Sequence, residues 1–406
     1  MNNSKTPWPA VALLCATATA GYICRVNVST AGALLMDEFS LTQVTMGRIF
    51  SAFLLGYALF QVPAGILADR WGARRVFSII MWLWVAITAL QALVGWGPFQ
   101  TSISVSVSAF FIFRFLLGIT AAPTYPTAGF GVSRWVPVFS QGRANGIIIA
   151  SVGLGSALSP PLVSYIMVEW GWRIALVASA LPALVIALIW LRVPDQPVTG
   201  SLETINLSLE SKGRLRSGSF ILLTFSYTLQ GYVGYIFVSW FYLYLVQERH
   251  FSLLTGAWMG SLPWILSIIS IPLGGLISDR LSAGPLGTRW GPRIVPMTGM
   301  AMSGILISVG AHTNSPWIAA ISLAFATAFV LCVEGPFWTM MIRIAGNRSG
   351  TAGGIMNMGS NGGGLLSPAL TPLLATYIGW ENALHIAAAL AIIAAVAWIG
   401  IHAQNN

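Results

Sequence analysis

A short charged segment lies between two long apolar runs in the first quarter of the chain. Residues 65–76 read Gly-Ile-Leu-Ala-Asp-Arg-Trp-Gly-Ala-Arg-Arg-Val, and they follow an apolar run that covers residues 51–68. A second apolar run begins at Val76. Because a helix of about 20 apolar residues is long enough to cross a bilayer, this segment predicts a tight charged turn between two membrane-spanning helices.

The same charged turn recurs in the second half of the sequence. Residues 275–280 read Gly-Leu-Ile-Ser-Asp-Arg, and residues 289–295 read Arg-Trp-Gly-Pro-Arg-Ile-Val, with a longer loop at 281–288 between them. Two basic loops can arise independently, since Lys and Arg collect in the cytoplasmic loops of membrane proteins. The recurrence of Gly, Asp-Arg and Arg-Trp-Gly in the same order instead favours a duplicated membrane protein.

A gap-free alignment gives a second sign of duplication. Residues 144–176 align with residues 352–384 at an offset of 208, with 12 identities in 33 positions. The identities include Ser-Pro at 159–160 and Gly-Trp at 171–172, which shared apolar composition does not explain. We infer that the fifth and eleventh spans are counterparts, as are the turns after the second and eighth spans.

The composition supports an integral membrane protein and excludes several other classes. The chain is 56% hydrophobic and 8% charged, whereas soluble domains carry about 25% charged residues. The apolar runs do not alternate, which favours helices over a barrel. The net charge of +9 belongs to short loops that meet lipid headgroups, so we expect contact with the bilayer and none with nucleic acid. The three cysteines lie in apolar runs and the four histidines are scattered, so we expect neither a metal site nor a cofactor.

These patterns predict an all-α membrane protein with twelve transmembrane helices in two pseudo-symmetric six-helix halves. The halves cover 1–192 and 219–406, with a polar linker at 193–218 between them. Fifteen basic residues fall on the side of the linker and three on the other. By the positive-inside rule, both termini are expected in the cytoplasm, with the chain in the inner (plasma) membrane. The predicted spans are 8–36, 46–68, 76–96, 103–126, 143–167, 172–192, 219–247, 253–278, 294–311, 316–341, 350–378 and 380–402.

Several motifs resemble those of the major facilitator superfamily, whose transporters consist of two six-helix halves. The turn at 65–75 resembles the signature loop between helices 2 and 3, and Arg-Phe-Leu-Leu-Gly at 114–118 resembles the helix 4 motif. Within the superfamily, residues 22–29, 56–63 and 122–126 resemble the anion:cation symporter family. That family includes the sugar-acid transporters for galactonate and hexuronate, sialin and the vesicular glutamate transporters.

The resemblance implies secondary active transport of a small organic anion, such as a sugar acid or another monocarboxylate, by alternating access. Two positions depart from the family pattern: Cys24 stands where sugar-acid members carry Asp, and Ala121 stands where they carry Glu. Because those acids couple transport to protons in the family, an uncoupled facilitator or an anion exchanger is one alternative. A transporter-like ligand sensor without net flux is another. An enzyme is not expected, since the sequence contains no cluster of groups for catalysis.

Three charged residues fall clearly in the middle of predicted spans, where ionised groups usually serve a transport pathway or a partner. Arg25, in helix 1, can offer a bidentate fork to a carboxylate, so we expect it to anchor the substrate; a structural pairing is the alternative. Arg114 is expected to act in gating or helix packing, with substrate contact as the alternative. Glu334 is expected to bind the coupling proton or sodium ion, with helix 10 packing as an equal alternative.

The remaining candidates are polar or aromatic residues near the expected midplane and charged residues in the two repeated turns. By resemblance, Tyr57, Trp338 and Asn357 fall where sugar-acid relatives contact substrate. We also expect the protein to be a monomer. The other predicted substrate-binding residues are Asn27, Gln61, Tyr125 and Tyr235, with Tyr22 and Gln230 as further cavity candidates. The predicted gating residues, besides Arg114, are Asp69, Arg70, Arg74, Asp279 and Arg280.

Overall fold

A computed structural model describes most of the chain as α-helix. The described residues are 8–97, 102–193, 217–284, 286–346 and 349–402. No strand occurs in these ranges. The predicted linker lies outside the described residues except at its two ends.

Thirteen α-helices and one short 3-10 helix follow one another along these described ranges. In chain order they are α1 Trp8–Glu38, α2 Gln43–Gln91, α3 Ile103–Ala121, α4 Thr124–Trp135, α5 Val138–Ser179, α6 Leu181–Arg192, α7 Gly218–Ser239, α8 Phe241–Gln247, α9 Leu253–Ala283, α10 Gly287–His312, α11 Pro316–Cys332, α12 Glu334–Ala345, α13 Ser349–Ala397 and the 3-10 helix Trp398–Gly400.

The predicted twelve spans are recovered when the longest helices are divided at their backbone breaks. Ten helical segments of the described chain are long and apolar enough to cross a membrane. Two of them, Arg143–Arg192 and Ala352–Gly400, are 50 and 49 residues long, which is more than twice the length that one span needs. Each contains a glycine with non-helical backbone angles, Gly171 in one and Gly379 in the other. Each therefore contains two spans, and the total is twelve.

The glycines at these breaks have positive φ angles, which residues with a side chain rarely adopt. Gly171 has φ 81° and ψ 163°, and Gly379 has φ 80° and ψ 159°. These two glycines are an identical pair in the sequence repeat, so the duplicated Gly-Trp marks the same sharp turn twice. Gly72, with φ 71°, interrupts α2 within the charged segment 65–76, which confirms the turn predicted there.

Contacts between Cα atoms divide the chain into two compact units. The first unit comprises Met1–Gly200 and Tyr242–Ser261, and the second comprises Ser201–Phe241 and Leu262–Asn406. Within the first unit, the Tyr242 hydroxyl lies 3.1 Å from that of Ser164. This grouping rests on spatial contacts, whereas the predicted halves rest on the sequence repeat.

Each unit contains a helix pair that approaches closely at a glycine. A Cβ added at Gly155 of α5 would overlap the main-chain oxygen of Thr19 in α1, and a Cβ added at Gly363 of α13 would overlap that of Thr228 in α7. Small residues allow such close packing between membrane helices. Because Gly155 and Gly363 are an identical pair in the repeat, the duplication has preserved the same helix contact in both units.

Candidate functional site

A cavity in the first unit collects several of the residues predicted to bind substrate. Its empty volume is about 320 Å³, including its open mouth. Helices α1 to α4 supply its walls. The lining residues are Gly21, Tyr22, Arg25, Phe53, Tyr57, Trp84, Leu117, Ala121, Thr124 and Tyr125.

Aromatic side chains hold Arg25 in this cavity. The guanidinium carbon lies 4.7 Å from the ring centre of Phe53 and 5.0 Å from that of Tyr22. Its Nη1 donates a hydrogen bond of 3.0 Å to the hydroxyl of Tyr22, which lies 3.2 Å from the hydroxyl of Tyr125. Tyr22 precedes Arg25 by three residues and therefore lies on the same side of α1. The guanidinium is thus oriented by cation–π contacts and can present its fork to an anion.

A second arginine, Arg114, contacts the main chain of Arg25. Its side chain is 3% exposed, and Nη1 donates a hydrogen bond of 3.0 Å to the main-chain oxygen of Arg25. The guanidinium carbon lies 5.1 Å from the ring centre of Phe53, so both guanidinium groups contact the same ring. No carboxylate is among the described residues that line the cavity. The result is a locally positive site with a second cation near the first.

A break in the fourth span shapes one wall of the cavity. Helix α3 ends at Ala121 and α4 begins at Thr124. Pro123 lies between them, and proline lacks the N–H that would continue the helical hydrogen bonds. The break brings Ala121, Thr124 and Tyr125 to the cavity wall. The wall therefore contains hydroxyl groups but no acid at the position where the family pattern carries Glu.

Glu334 lies in the second unit and is bound by neutral donors. The hydroxyl of Tyr227 donates to Oε2 at 2.8 Å, and Nε2 of Gln230 donates to Oε1 at 3.0 Å. The carboxylate lies at the break between α11 and α12, where Val333 separates the two helices. No Lys, Arg or His of the described chain forms an ion pair with it. A half-buried carboxylate with two neutral donors can exchange a proton or accept a small cation.

Two of the predicted substrate residues in the first unit lie outside this cavity. Asn27 is fully buried, and its Nδ2 donates a hydrogen bond of 2.8 Å to Oγ of Ser179, so it connects α1 to α5. Gln61 is half-buried in α2 and is not part of the cavity lining. The structure therefore brings Arg25, Tyr57 and Tyr125 together but not these two amides.

The predicted residues of the second unit are spread over three helices. Trp338 approaches the carboxylate of Glu334 and is 38% exposed. Tyr235 in α7 lies against Gly364. The main-chain oxygen of Asn357 accepts a hydrogen bond from Nδ2 of Asn361 at 3.0 Å. The structure brings Trp338 to the predicted coupling group.

Apart from Arg114, the predicted gating residues lie around the turns that follow the second and eighth spans. Asp69 and Arg70 precede the break at Gly72, and the side chain of Arg70 is exposed. Nη2 of Arg74 donates a hydrogen bond of 3.2 Å to the main-chain oxygen of Leu191. The other two, Asp279 and Arg280, are exposed near the end of α9.

The structure adds residues that the sequence did not single out. Phe53 contacts both arginines and precedes Tyr57 by four residues, and the two rings are stacked with centres 6.1 Å apart. In the second unit, Tyr227 precedes Gln230 by three residues and binds the same carboxylate. Residues three or four positions apart share a face of a helix, so this spacing was an available signal for both.

The expectation that the histidines are scattered is wrong for two of them. His312 and His385 meet Glu381, and the three side chains have potential ligand atoms within 4.8 Å of one another. The separation of 73 residues between the histidines concealed this contact. It depends on the packing of α10 against the second part of α13.

The twelve helical spans, the internal repeat and a cavity lined by Arg25 and aromatic side chains are typical of polytopic membrane transporters. The sequence profile of the Major Facilitator Superfamily matches residues 13–284 and 281–405. The chain therefore belongs to the Major Facilitator Superfamily. It is a multi-pass membrane transporter and not an enzyme.

Comparison with individual relatives agrees with this assignment. The probable sulfoacetate transporter SauU of Cupriavidus necator is 29% identical over 380 residues, which cover 90% of this chain and 86% of the relative. The hexuronate transporter of Bacillus subtilis is 28% identical over 416 residues, covering 98% and 94%. A D-galactonate transporter of Escherichia coli is 26% identical over 404 residues, covering 93% and 91%.

Solved structures show the same fold at low sequence identity. A bacterial homologue of the human lysosomal transporter Spinster, in an inward-facing and occupied conformation, has a TM-score of 0.81 at 18% identity, with 98% of this chain and 97% of that chain covered. A D-xylose–proton symporter has a TM-score of 0.76 at 16% identity, with 95% and 96% covered. At these identities the likeness concerns the fold alone.

Proposed function

We propose that this protein is a secondary active transporter of a small organic anion, a sugar acid or another monocarboxylate, that works by alternating access. One observation carries this proposal: Arg25 lies in a cavity with aromatic and hydroxyl walls, backed by Arg114, and no described lining residue is acidic. A guanidinium binds a carboxylate through two parallel hydrogen bonds. The printed names of the relatives, sulfoacetate, hexuronate and D-galactonate transporters, are those of organic anions and support the same substrate class.

The cavity residues divide into an anchor and its surroundings. Arg25 binds the carboxylate, and Tyr22 and Phe53 keep its guanidinium oriented. The hydroxyl groups of Tyr57 and Tyr125 can bond to a polar part of the substrate. This combination suits a molecule with one anionic end and a hydroxylated body.

The coupling step is assigned to Glu334. The cavity around Arg25 offers no acid for this task, because the two positions where the family pattern carries acids hold Cys24 and Ala121. Ala121 is part of the cavity wall. Cys24 is fully buried, and its Sγ lies 3.6 Å from the main-chain oxygen of Ser179. Glu334 has neutral hydrogen-bond donors on both oxygens, which suits a group that takes up a proton or a sodium ion during the cycle. The absence of acids at positions 24 and 121 favours the second candidate function, uncoupled facilitation or anion exchange.

The remaining assignments concern gating and placement in the cell. Charged residues at the ends of the second and eighth spans are proposed to stabilise one conformation, and Arg74 already bonds to the main chain at the end of α6. The protein is proposed to lie in the inner membrane as a monomer with both termini in the cytoplasm, because basic residues concentrate on that side.

The experiment is a thermal-shift screen on the purified protein and on Arg25→Gln. The panel contains sugar acids, other monocarboxylates, sulfonates, sugar phosphates and neutral sugars. A ligand at about 100 times its dissociation constant stabilises a protein by about 2.7 kcal/mol, which is readily measured. Stabilisation by a carboxylate that disappears in Arg25→Gln, but persists in the exposed control Arg48→Gln, supports the proposal. Stabilisation by neutral sugars alone, or equal stabilisation in Arg25→Gln, overturns it.

A further inference from the structure

A cluster of two histidines and a glutamate lies far along the chain from the cavity residues. His312 is the last residue of α10, and Glu381 and His385 lie in α13, just after the break at Gly379. Nδ1 of His312 is 2.8 Å from Oε1 of Glu381, and Nε2 of His385 is 3.8 Å from the same oxygen. Each of the three residues offers one potential metal-ligand atom, and these atoms all lie within 4.8 Å of one another.

We propose that His312, Glu381 and His385 form a binding site for a divalent first-row transition metal, with Zn²⁺ as the preferred ion. Zn²⁺ binds imidazole nitrogen and carboxylate oxygen at about 2.0–2.2 Å, which places neighbouring tetrahedral ligands about 3.4 Å apart. The separations of 2.8 Å and 3.8 Å from Oε1 lie on either side of that value. Two imidazoles and one carboxylate leave the fourth position to water.

The two helices that supply the ligands are already held together. A Cβ added at Gly304 of α10 would lie 2.8 Å from the main-chain oxygen of Ala388 in α13. The two backbones are therefore in close contact about one helical turn after His385 in the sequence. On α13, Glu381 and His385 are four residues apart and share one face. Small rotations of exposed side chains are therefore enough to complete the site.

A second polar residue orients one of the ligands. Nδ1 of His385 lies 3.3 Å from Oγ of Ser308 in α10, which leaves Nε2 directed at Glu381. Metal-binding histidines commonly use their other nitrogen for a hydrogen bond that fixes the ring. Ser308 precedes His312 by four residues, so α10 supplies both a ligand and this orienting group.

Metal ions can reach the site directly from water. The side chains of His312, Glu381 and His385 are 82%, 52% and 37% exposed. The site lies where span 9 ends and span 12 begins. The predicted topology places both of these span ends outside the cytoplasm. Both ligand-bearing helices belong to the second unit, so binding does not depend on the proposed anion cavity.

The test is a Zn²⁺ titration of the full-length protein, purified without a polyhistidine tag and stripped of metal. Calorimetry and thermal unfolding are measured for the wild type, His312→Ala, Glu381→Gln and His385→Ala. The control is His250→Asn, which removes an exposed histidine at a positive φ of 57° that Asn tolerates. Unfolding temperatures in EDTA establish that each variant is folded.

The expected result is one Zn²⁺ bound per chain in the wild type and in His250→Asn, with binding lost in each ligand variant. Ser308→Ala is expected to weaken binding by about 10- to 100-fold, as the loss of orienting partners does at other metal sites. Mg²⁺ should give no stabilisation, since it prefers oxygen ligands. A wild type that does not bind Zn²⁺, or ligand variants that bind it as the wild type does, would overturn the proposal.

Discussion

The two units differ at a helix break that both contain close to a proline, Ala121-Ala-Pro in the fourth span and Glu334-Gly-Pro in the tenth. In the first unit, the break in the fourth span exposes Ala121 beside Arg25, and two guanidinium groups contact the ring of Phe53. In the second unit, the break in the tenth span carries Glu334, held by two neutral donors. Both units thus contain a helix break, which carries a neutral alanine in the first unit and an acid in the second. This difference suggests that one unit has specialised in binding an anion and the other in binding a cation.

The first turns of the sixth and twelfth spans also differ in their charged residues. Arg173 donates a hydrogen bond of 2.6 Å to Glu38 and another of 3.2 Å to the main-chain oxygen of Val94. At the offset of 208, the counterpart of Arg173 is Glu381, which meets His312 and His385 instead. A closed ion pair in one unit thus corresponds to a set of potential metal ligands in the other.

The largest expected effect comes from removing the acid of the second unit. In proteoliposomes, Glu334→Gln is expected to abolish accumulation against a gradient while retaining exchange of labelled substrate, because the amide cannot bind a proton or a sodium ion. The measurement compares the final internal concentration with the initial exchange rate. Full concentrative uptake by Glu334→Gln would show that coupling lies elsewhere, and wild-type protein that only exchanges would support the uncoupled alternative.

Placing an acid in the first unit tests whether anion binding there depends on the absence of a carboxylate beside Arg25. In Ala121→Glu, the new carboxylate shares the cavity with Arg25 and competes with the substrate for its guanidinium. Since a hydrogen bond to a charged group contributes about 1.5–3 kcal/mol, substrate affinity should fall by about 10- to 150-fold. Ala121→Gln has the same size without the charge and serves as the control. Equal loss of affinity in both variants, measured by calorimetry, would attribute the effect to crowding.

The close helix contacts offer a test of what the two units share. Gly363→Ala should lower the free energy of unfolding by about 1–3 kcal/mol, because its Cβ would overlap the main chain of Thr228 and overpacking has this cost. The neighbouring Gly362→Ala has no atom within 4 Å of its Cβ and should be neutral or stabilising, since Ala favours helix over Gly by about 1 kcal/mol. Unfolding in denaturing detergent measures both.

The first unit contains the same pair of test positions. Gly155→Ala is expected to destabilise and Gly146→Ala is not, since a Cβ at Gly146 meets nothing within 4 Å. Agreement between the two units would show that the repeat preserves packing as well as sequence. A neutral Gly155→Ala beside a damaging Gly363→Ala would show that the two contacts have diverged.

The smallest effect is expected at the ion pair between Arg173 and Glu38 in the first unit. Arg173→Gln should cost about 0.2–1 kcal/mol of stability, because partly exposed salt bridges contribute little, and Arg173 and Glu38 are 25% and 39% exposed. The difference from the wild type should shrink as salt is added. Arg48→Gln, at an exposed position in α2, is the control. A loss that is large and insensitive to salt would indicate that Arg173 mainly positions the end of the third span through Val94.

The number of spans, the repeat and the family could be predicted from the amino-acid sequence alone. These depend on local quantities: the length of apolar runs relative to the bilayer, the position of basic loops, and glycines that permit a sharp turn. Gly171 and Gly379 illustrate this, because they fall at the boundaries predicted between spans, and glycine permits the positive φ that these turns adopt. Arg25 could also be predicted as a site residue, since an ionised group in the middle of a membrane span usually serves a transport pathway or a partner.

Which side chains contact one another depends on how the helices pack, and the sequence could not specify it. Asn27 is two residues from Arg25, yet helical geometry turns positions i and i+2 to different faces, and Asn27 contacts Ser179 instead of the cavity. Phe53 and Tyr125 reach Arg25 from other helices, and no local pattern specifies that contact. His312 and His385 meet for the same reason: their contact depends on how α10 packs against α13, which is a property of the folded chain rather than of either segment.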